Sequence, residues 1–167
     1  KLDKGTAESE YEYGGELVVN GTFDEDVDWV ASSVGGVEFE VVGGKGVATR
    51  TPTGGEAVAY SESTVSLIAG EVYAVYFDNT NIGIEGHQPP ALYIGNTQLS
   101  TKVGEIVYFT PDANIIEKLW LRIRGASPVG GDFVQEFDNI SIREITNYSE
   151  VNASINTEYS EENTFGE

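Results

Sequence analysis

The chain has 167 residues with 9 Lys and Arg against 28 Asp and Glu, a formal net charge of -19, and it contains neither cysteine nor methionine. A field of that sign repels phosphate backbones and anionic headgroups, which argues against nucleic acid or membrane partners and favours cations and basic surfaces. Without cysteine there is no disulfide framework and no thiolate zinc site, and no apolar run approaches the roughly 20 residues that cross a bilayer.

The length suits one domain with end segments, and a hydrophobic fraction of 40% is enough for a core. A chain that starts at Lys1 without Met is expected to have lost a leader or to begin inside a longer one. Residues 1–15 are polar and acidic, end in Gly14-Gly15, and read as an N-terminal arm. Residues 16–145 read as one all-β domain, and residues 146–167, acidic and rich in Asn, Ser and Thr, read as a C-terminal arm. Termini fray unless something ties them down, so the arms are expected to lie on neighbouring subunits.

Between the arms the apolar period is two. The run Glu16 to Val19 predicts a first strand; Val37 to Val41 places apolar residues on odd positions and acids on even ones, the signature of a strand with one wet face. Further strands are predicted over 46–50, 57–67, 71–78, 91–94, 104–109, 115–124 and 137–145. Turn chemistry separates them at Gly35-Gly36, Gly43-Gly44, Pro52 to Gly55, Ala69-Gly70, Gly95-Asn96, Pro111-Asp112 and Pro128 to Gly130. Many short strands without a helical stripe predict an antiparallel β-sandwich or barrel.

Phasing the strands selects the exposed side chains. In 71–78, Tyr73, Val75 and Phe77 share one face and Val72, Ala74 and Tyr76 the other. In 115–123, Ile115, Leu119, Leu121 and Ile123 point inward, with Glu117 as the exception, so Lys118, Trp120, Arg122 and Arg124 stand together outside. Trp and Arg are favoured where a surface must bind. That row is a platform for a sugar, a docking face for an acidic neighbour, or a face covered by a loop with its arginines paired internally. Tyr76 and Tyr93 are the other aromatics expected at the surface, and they are grouped with the row as one ligand or partner face.

Candidate catalytic groups are few. His87 is the one histidine, and with no Cys and no Gly-x-Ser-x-Gly elbow there is no visible nucleophile and base for acyl transfer. The expectation is a protein that is not an enzyme. Asp24, Asp26 and Asp28 start like a calcium loop, but its sixth position is Trp29 and its twelfth is Gly35, where Gly and Glu belong, so an EF-hand is rejected. Gly43-Gly44-Lys45-Gly46 is a turn between strands rather than a phosphate cradle, because no helix follows.

Five motifs stand in order: Glu16 to Phe23 (ELVVNGTF), Trp29, Gly43 to Ala48 (GGKGVA), Ala69 to Phe77 (AGEVYAVYF) and Phe137 to Ile145 (FDNISIREI). Together they resemble the galactose-binding-like jelly rolls of the cellulose- and xylan-binding carbohydrate-binding modules over residues 16–145, a pattern also similar to modules in phage structural proteins. The resemblance implies a jelly roll with Phe23 and Trp29 in its core and chain ends close together. It also implies sugar binding through exposed aromatics, and a structural Ca2+ held by Asp24 or Asp26 together with Asp138 and backbone carbonyls. Two functions follow as expectations. The first is a non-catalytic structural or adhesive protein of a virion or other extracellular assembly, partnered by copies of itself or other subunits. The second is a calcium-stabilised module that binds a cell-surface or other glycan. Either places the chain outside the cell or on a virion surface.

Overall fold

The computed structural model describes residues 11–33, 35–51, 56–82, 90–123 and 133–148. Among them run ten strands: β1 (Trp29–Ala31), β2 (Val37–Val41), β3 (Gly46–Arg50), β4 (Ala57–Leu67), β5 (Tyr73–Ile82), β6 (Ala91–Ile94), β7 (Thr97–Ser100), β8 (Val107–Phe109), β9 (Ile115–Arg122) and β10 (Phe133–Glu144). They form two five-stranded sheets, β1-β4-β9-β6-β7 and β2-β3-β10-β5-β8, and every pairing between strands is antiparallel. From β3 onward the chain alternates between the sheets, apart from the β6–β7 hairpin, and β9 and β10 return to the middle of their sheets. This is the jelly-roll winding of an antiparallel sandwich.

Alternation builds the core. Tyr73, Val75 and Phe77 of β5 and Phe137 and Ile142 of β10 face Leu67 of β4, Leu92 and Ile94 of β6 and Leu119 and Leu121 of β9, all nearly inaccessible to water. Each such side chain contributes about 1.5–3 kcal/mol relative to exposure. Phe23 and Trp29 join the same core, as the resemblance implies, with ring centroids 5.5 Å apart. The β2–β3 hairpin closes through paired Val42 and Lys45 backbone bonds around Gly43 (φ 59°) and Gly44 (φ 75°). Two successive positive φ values make the mirror-image turn whose twist matches that of the strands.

The N-terminal segment differs from the predicted strand. Residues 14–18 are not a strand; one bridge, Tyr13 to Ile145, and two backbone bonds, from Gly14 N–H to the Glu144 carbonyl and from Leu17 N–H to that of Ile142, lay the segment along β10. The physical reason is the Glu16 carboxylate. Its Oε1 accepts from the backbone N–H of Leu17 (3.0 Å), Val18 (3.1 Å) and Ile142 (2.9 Å), and its Oε2 from Ser141 Oγ (2.6 Å) and Arg143 Nε (3.1 Å). A side chain thus occupies the place of ladder partners. Of the predicted arms, residues 11–15 lie against this domain, with Thr146 N–H donating to the Glu12 carbonyl and Tyr11 stacked on Tyr148 at 5.9 Å. Residues 1–10 and 149–167 lie outside the described residues, as do the predicted turns at Pro52 to Gly55 and Pro128 to Gly130.

A bulge in β10 sits beside Glu16. The register with β5 shifts between Asp138 and Ser141, with Asn139 at φ 51°. Ile140 N–H donates to the Gly21 carbonyl at 2.9 Å, and a Cβ at Gly21 would lie 2.0 Å from the Ile140 carbonyl oxygen. Only glycine permits that approach.

Burial raises the pKa of Glu16, but the hydrogen bonds from Ser141, Ile142, Val18 and Arg143 together outweigh it and hold the carboxyl below the ordinary glutamate range. A depressed folded-state pKa contributes stability above the unfolded value that is lost as pH falls through the folded one. Glu16→Gln is therefore expected to destabilise the fold at neutral pH by about 1–2 kcal/mol, the lower part of the range for charged hydrogen bonds because the group is partly solvated. The difference should shrink toward zero in acid, below the lowered Glu16 pKa, as read by urea unfolding across pH. A difference constant with pH would show that the charge is not what binds the segment.

Candidate functional site

β9 is the central strand of its sheet, and its phase is the predicted one: Leu119, Leu121 and the following Ile123 are fully buried, while Lys118, Trp120 and Arg122 are half-buried on the outer face. Ile115 packs against the core, Ile116 is exposed, and Glu117 stands exposed at the sheet end. Arg124, the fourth member of the predicted row, lies outside the described residues.

The register extends the row sideways. Trp120 is the Cα partner of Tyr60 on β4 and of Tyr93 on β6, and Tyr93 is in turn the partner of Gln98 on β7. Residues directly opposite on adjacent strands share a face about 5 Å apart, so three aromatic side chains cross the sheet side by side. The Tyr60 and Trp120 rings are 4.9 Å apart and tilted by 36°. The Lys118 ammonium lies 4.8 Å from the Tyr60 ring centroid, and the Arg122 guanidinium carbon 4.3 Å from that of Tyr93. Tyr93 donates its hydroxyl to Gln98 Oε1 at 3.1 Å, and Arg122 Nη2 makes a long 3.4 Å bond to the Gly95 carbonyl. Cations over ring faces are attracted by the ring quadrupole, which steadies both long side chains without neutralising them.

Tyr60 was not among the residues singled out from the sequence. The register of β4 on β9 shifts between Ala57 and Ala59 and again between Tyr60 and Thr64, so simple alternation along 57–67 does not give its face. The usable signal was an aromatic in a predicted strand.

Tyr76 does not belong to this face. It lies on β5, which pairs with β10 and β8 in the opposite sheet, and it faces outward there because Tyr73, Val75 and Phe77 take the inward positions of that strand. There it borders a hollow of about 300 Å³ lined by Tyr13, Ala74, Tyr76, Ile106, Ser141 and Arg143. Its hydroxyl donates to Asp78 Oδ1 at 2.6 Å, and Asn139 Nδ2 donates to Asp78 Oδ2 at 3.0 Å. The bond to Asp78, with burial and the charges of Asp78 and Asp138, raises the Tyr76 pKa.

Asp78 and Asp138 are direct cross-strand partners, an arrangement that costs energy unless the charges are compensated. Hydrogen bonds to Asp78 and the nearby ammonium of Lys45 supply compensation. Lys45 is bonded to Glu136 at 2.5 Å, and its pKa is raised by that bond, by the charge of Glu136 and by that of Asp138.

The three residues of the implied calcium site fall on two elements. Asp24 and Asp26 are exposed in the loop before β1, where Asp24 Oδ2 accepts from Thr22 Oγ1 at 2.6 Å. Asp138 is on β10, and its Oδ1 accepts from Asn139 N–H at 2.7 Å. Among the described residues no three His, Cys, Asp or Glu side chains group as metal ligands. A cation bridging Asp24 and Asp138 would take most of its shell from carbonyls or solvent. His87 lies outside the described residues.

A scan against protein-family models found no match to the chain, and a search of curated proteins found none.

Proposed function

We propose that the chain is a non-catalytic, extracellular adhesive module that holds an extended glycan on the outer face of the sheet β1-β4-β9-β6-β7. The observation that carries this reading is the Tyr60, Trp120, Tyr93 row, three aromatic groups abreast on three strands with Lys118 and Arg122 over the flanking rings. A sugar ring presents apolar C–H groups on its faces and hydroxyls around its rim. Half-exposed aromatic surface suits the faces, and Arg, Lys, Gln98 and tyrosine hydroxyls suit the rim. The row sits on a rigid sheet and needs little ordering on binding, which favours affinity. With Trp120→Ala, affinity for a saccharide that the native protein binds should fall at least tenfold, about 1.4 kcal/mol, while Tyr76→Ala on the opposite sheet leaves it unchanged. Affinity gel electrophoresis across polysaccharides reads both. Equal retention of native protein and Trp120→Ala on every ligand would sink the reading.

A second reading, a structural subunit of a virion or other extracellular assembly, is supported by a different surface. Tyr13 and Ile106, which line the hollow on the other sheet, are exposed, and so are Tyr108 and Tyr148, whose rings meet that of Tyr11. Apolar groups clustered at a surface are commonly covered by a partner. The two readings are compatible, since each uses its own sheet. Ile106→Glu is expected to convert a self-associating protein to monomer in sedimentation velocity without altering saccharide binding. A native protein that is monomeric at high concentration would count against assembly through this face.

A further inference from the structure

In a chain with 9 basic and 28 acidic residues, a basic side chain has carboxylates in excess to pair with. Lys45 and Arg143 do pair, with Glu136 and Glu16. Lys118 and Arg122 do not: among the described residues neither forms a salt bridge, and both place their charge over aromatic rings. Among the described residues Arg122 Nε, which is enclosed, has no hydrogen-bond partner, and the guanidinium makes one bond, the long contact to Gly95. Among the described residues, Lys118 Nζ and Arg122 Nη1 therefore keep donor capacity on the aromatic face. Lys118 and Arg122 stand two positions either side of Trp120, about 7 Å along β9 in each direction at the usual strand rise. They flank whatever stacks on the indole.

Resting on the glycan reading above, we propose that the ligand is a carboxylate-bearing polysaccharide, a polyuronate, with a sugar face on Trp120 and carboxylates bound by Arg122 and Lys118. Arg presents a planar fork that matches a carboxylate, and Lys a compact point charge. The net charge of -19 opposes such a ligand at long range, but at physiological ionic strength charges beyond about 8 Å are largely screened. At contact the two cations set the local field. A neutral glycan would leave both unpaired beneath it and partly desolvated, which disfavours it relative to an anionic one.

The test is isothermal titration of the full chain with polygalacturonate, alginate and hyaluronate, and with the same polymers after chemical reduction of their carboxyl groups to alcohols. At least one carboxylated polymer should bind, and carboxyl reduction should weaken it at least tenfold. Lys118→Gln and Arg122→Gln should each lower affinity for the charged polymer severalfold, and by a larger factor than they lower affinity for the reduced polymer; equal losses on both forms overturn the polyuronate proposal. Arg122→Lys, which keeps charge and stem, should preserve the fold by circular dichroism yet still lose affinity because the fork is gone. Trp120→Ala should lose both forms.

Equal affinity for a polymer and its reduced form overturns the polyuronate proposal and leaves the glycan reading standing. Failure to bind any polysaccharide, charged or neutral, overturns both. Binding of poly-glutamate with no binding of any polysaccharide overturns both in favour of an acidic protein partner.

Discussion

The register of β9 between β4 and β6 is the constraint on which the functional face depends. Leu119, Leu121 and Ile123 fill the middle of the sandwich, and their burial fixes which face of the strand looks inward. A slip of one residue would exchange the two faces and expose three large aliphatic groups while burying a lysine and an arginine. Trp120 is therefore outward because its neighbours must be inward. The antiparallel ladders then bring Tyr60 and Tyr93 level with it. The aromatic row follows from packing that the fold needs in any case, and its geometry is as stiff as the core beneath it.

The opposite sheet answers a different need. Its central strand β10 must pair with β3 over its first half and hold the N-terminal segment over its second. The change of partner coincides with the bulge at Asp138 to Ser141, and the Glu16 carboxylate binds backbone and side-chain donors on both sides of the seam. One acid of a strongly acidic chain is used as a structural acceptor. The same sheet carries the compensated Asp78 and Asp138 pair and a hollow bordered by exposed apolar groups. Structural electrostatics and exposed apolar surface thus lie on one sheet, and Lys118 and Arg122, which form no ion pair among the described residues, on the other.

What was legible in the sequence follows the same division. β9 could be phased because Lys118 to Ile123 alternates without interruption and has large aliphatics on the inward positions. The hairpin at Gly43-Gly44 was readable because two consecutive glycines suit two positive φ values. β1 and β7 were missed: Trp29–Ala31 has only three residues, and Thr97–Ser100 has a single apolar residue, Leu99, so neither shows an alternation. Glu16 to Val19 looked like a strand, since its apolar content is right, but a carboxylate that captures backbone donors leaves no trace in a hydrophobic pattern. Tyr76 was grouped with Trp120 because exposure can be inferred from alternation within one strand, whereas membership of a sheet is set by long-range pairing. Tyr60 was hidden by the irregular register of β4.

The two tryptophans offer the most direct measurement. Trp29 is buried, with its indole N–H donating to the Asn20 carbonyl at 3.2 Å, and Trp120 is the half-exposed centre of the row. In a nitrogen-edited proton NMR spectrum the two indole N–H signals are separately resolvable, each assigned by substitution. On titration with a bound saccharide the account predicts that the Trp120 signal moves to saturation while the Trp29 signal stays in place. A saturable interaction that leaves the Trp120 indole unmoved would contradict it.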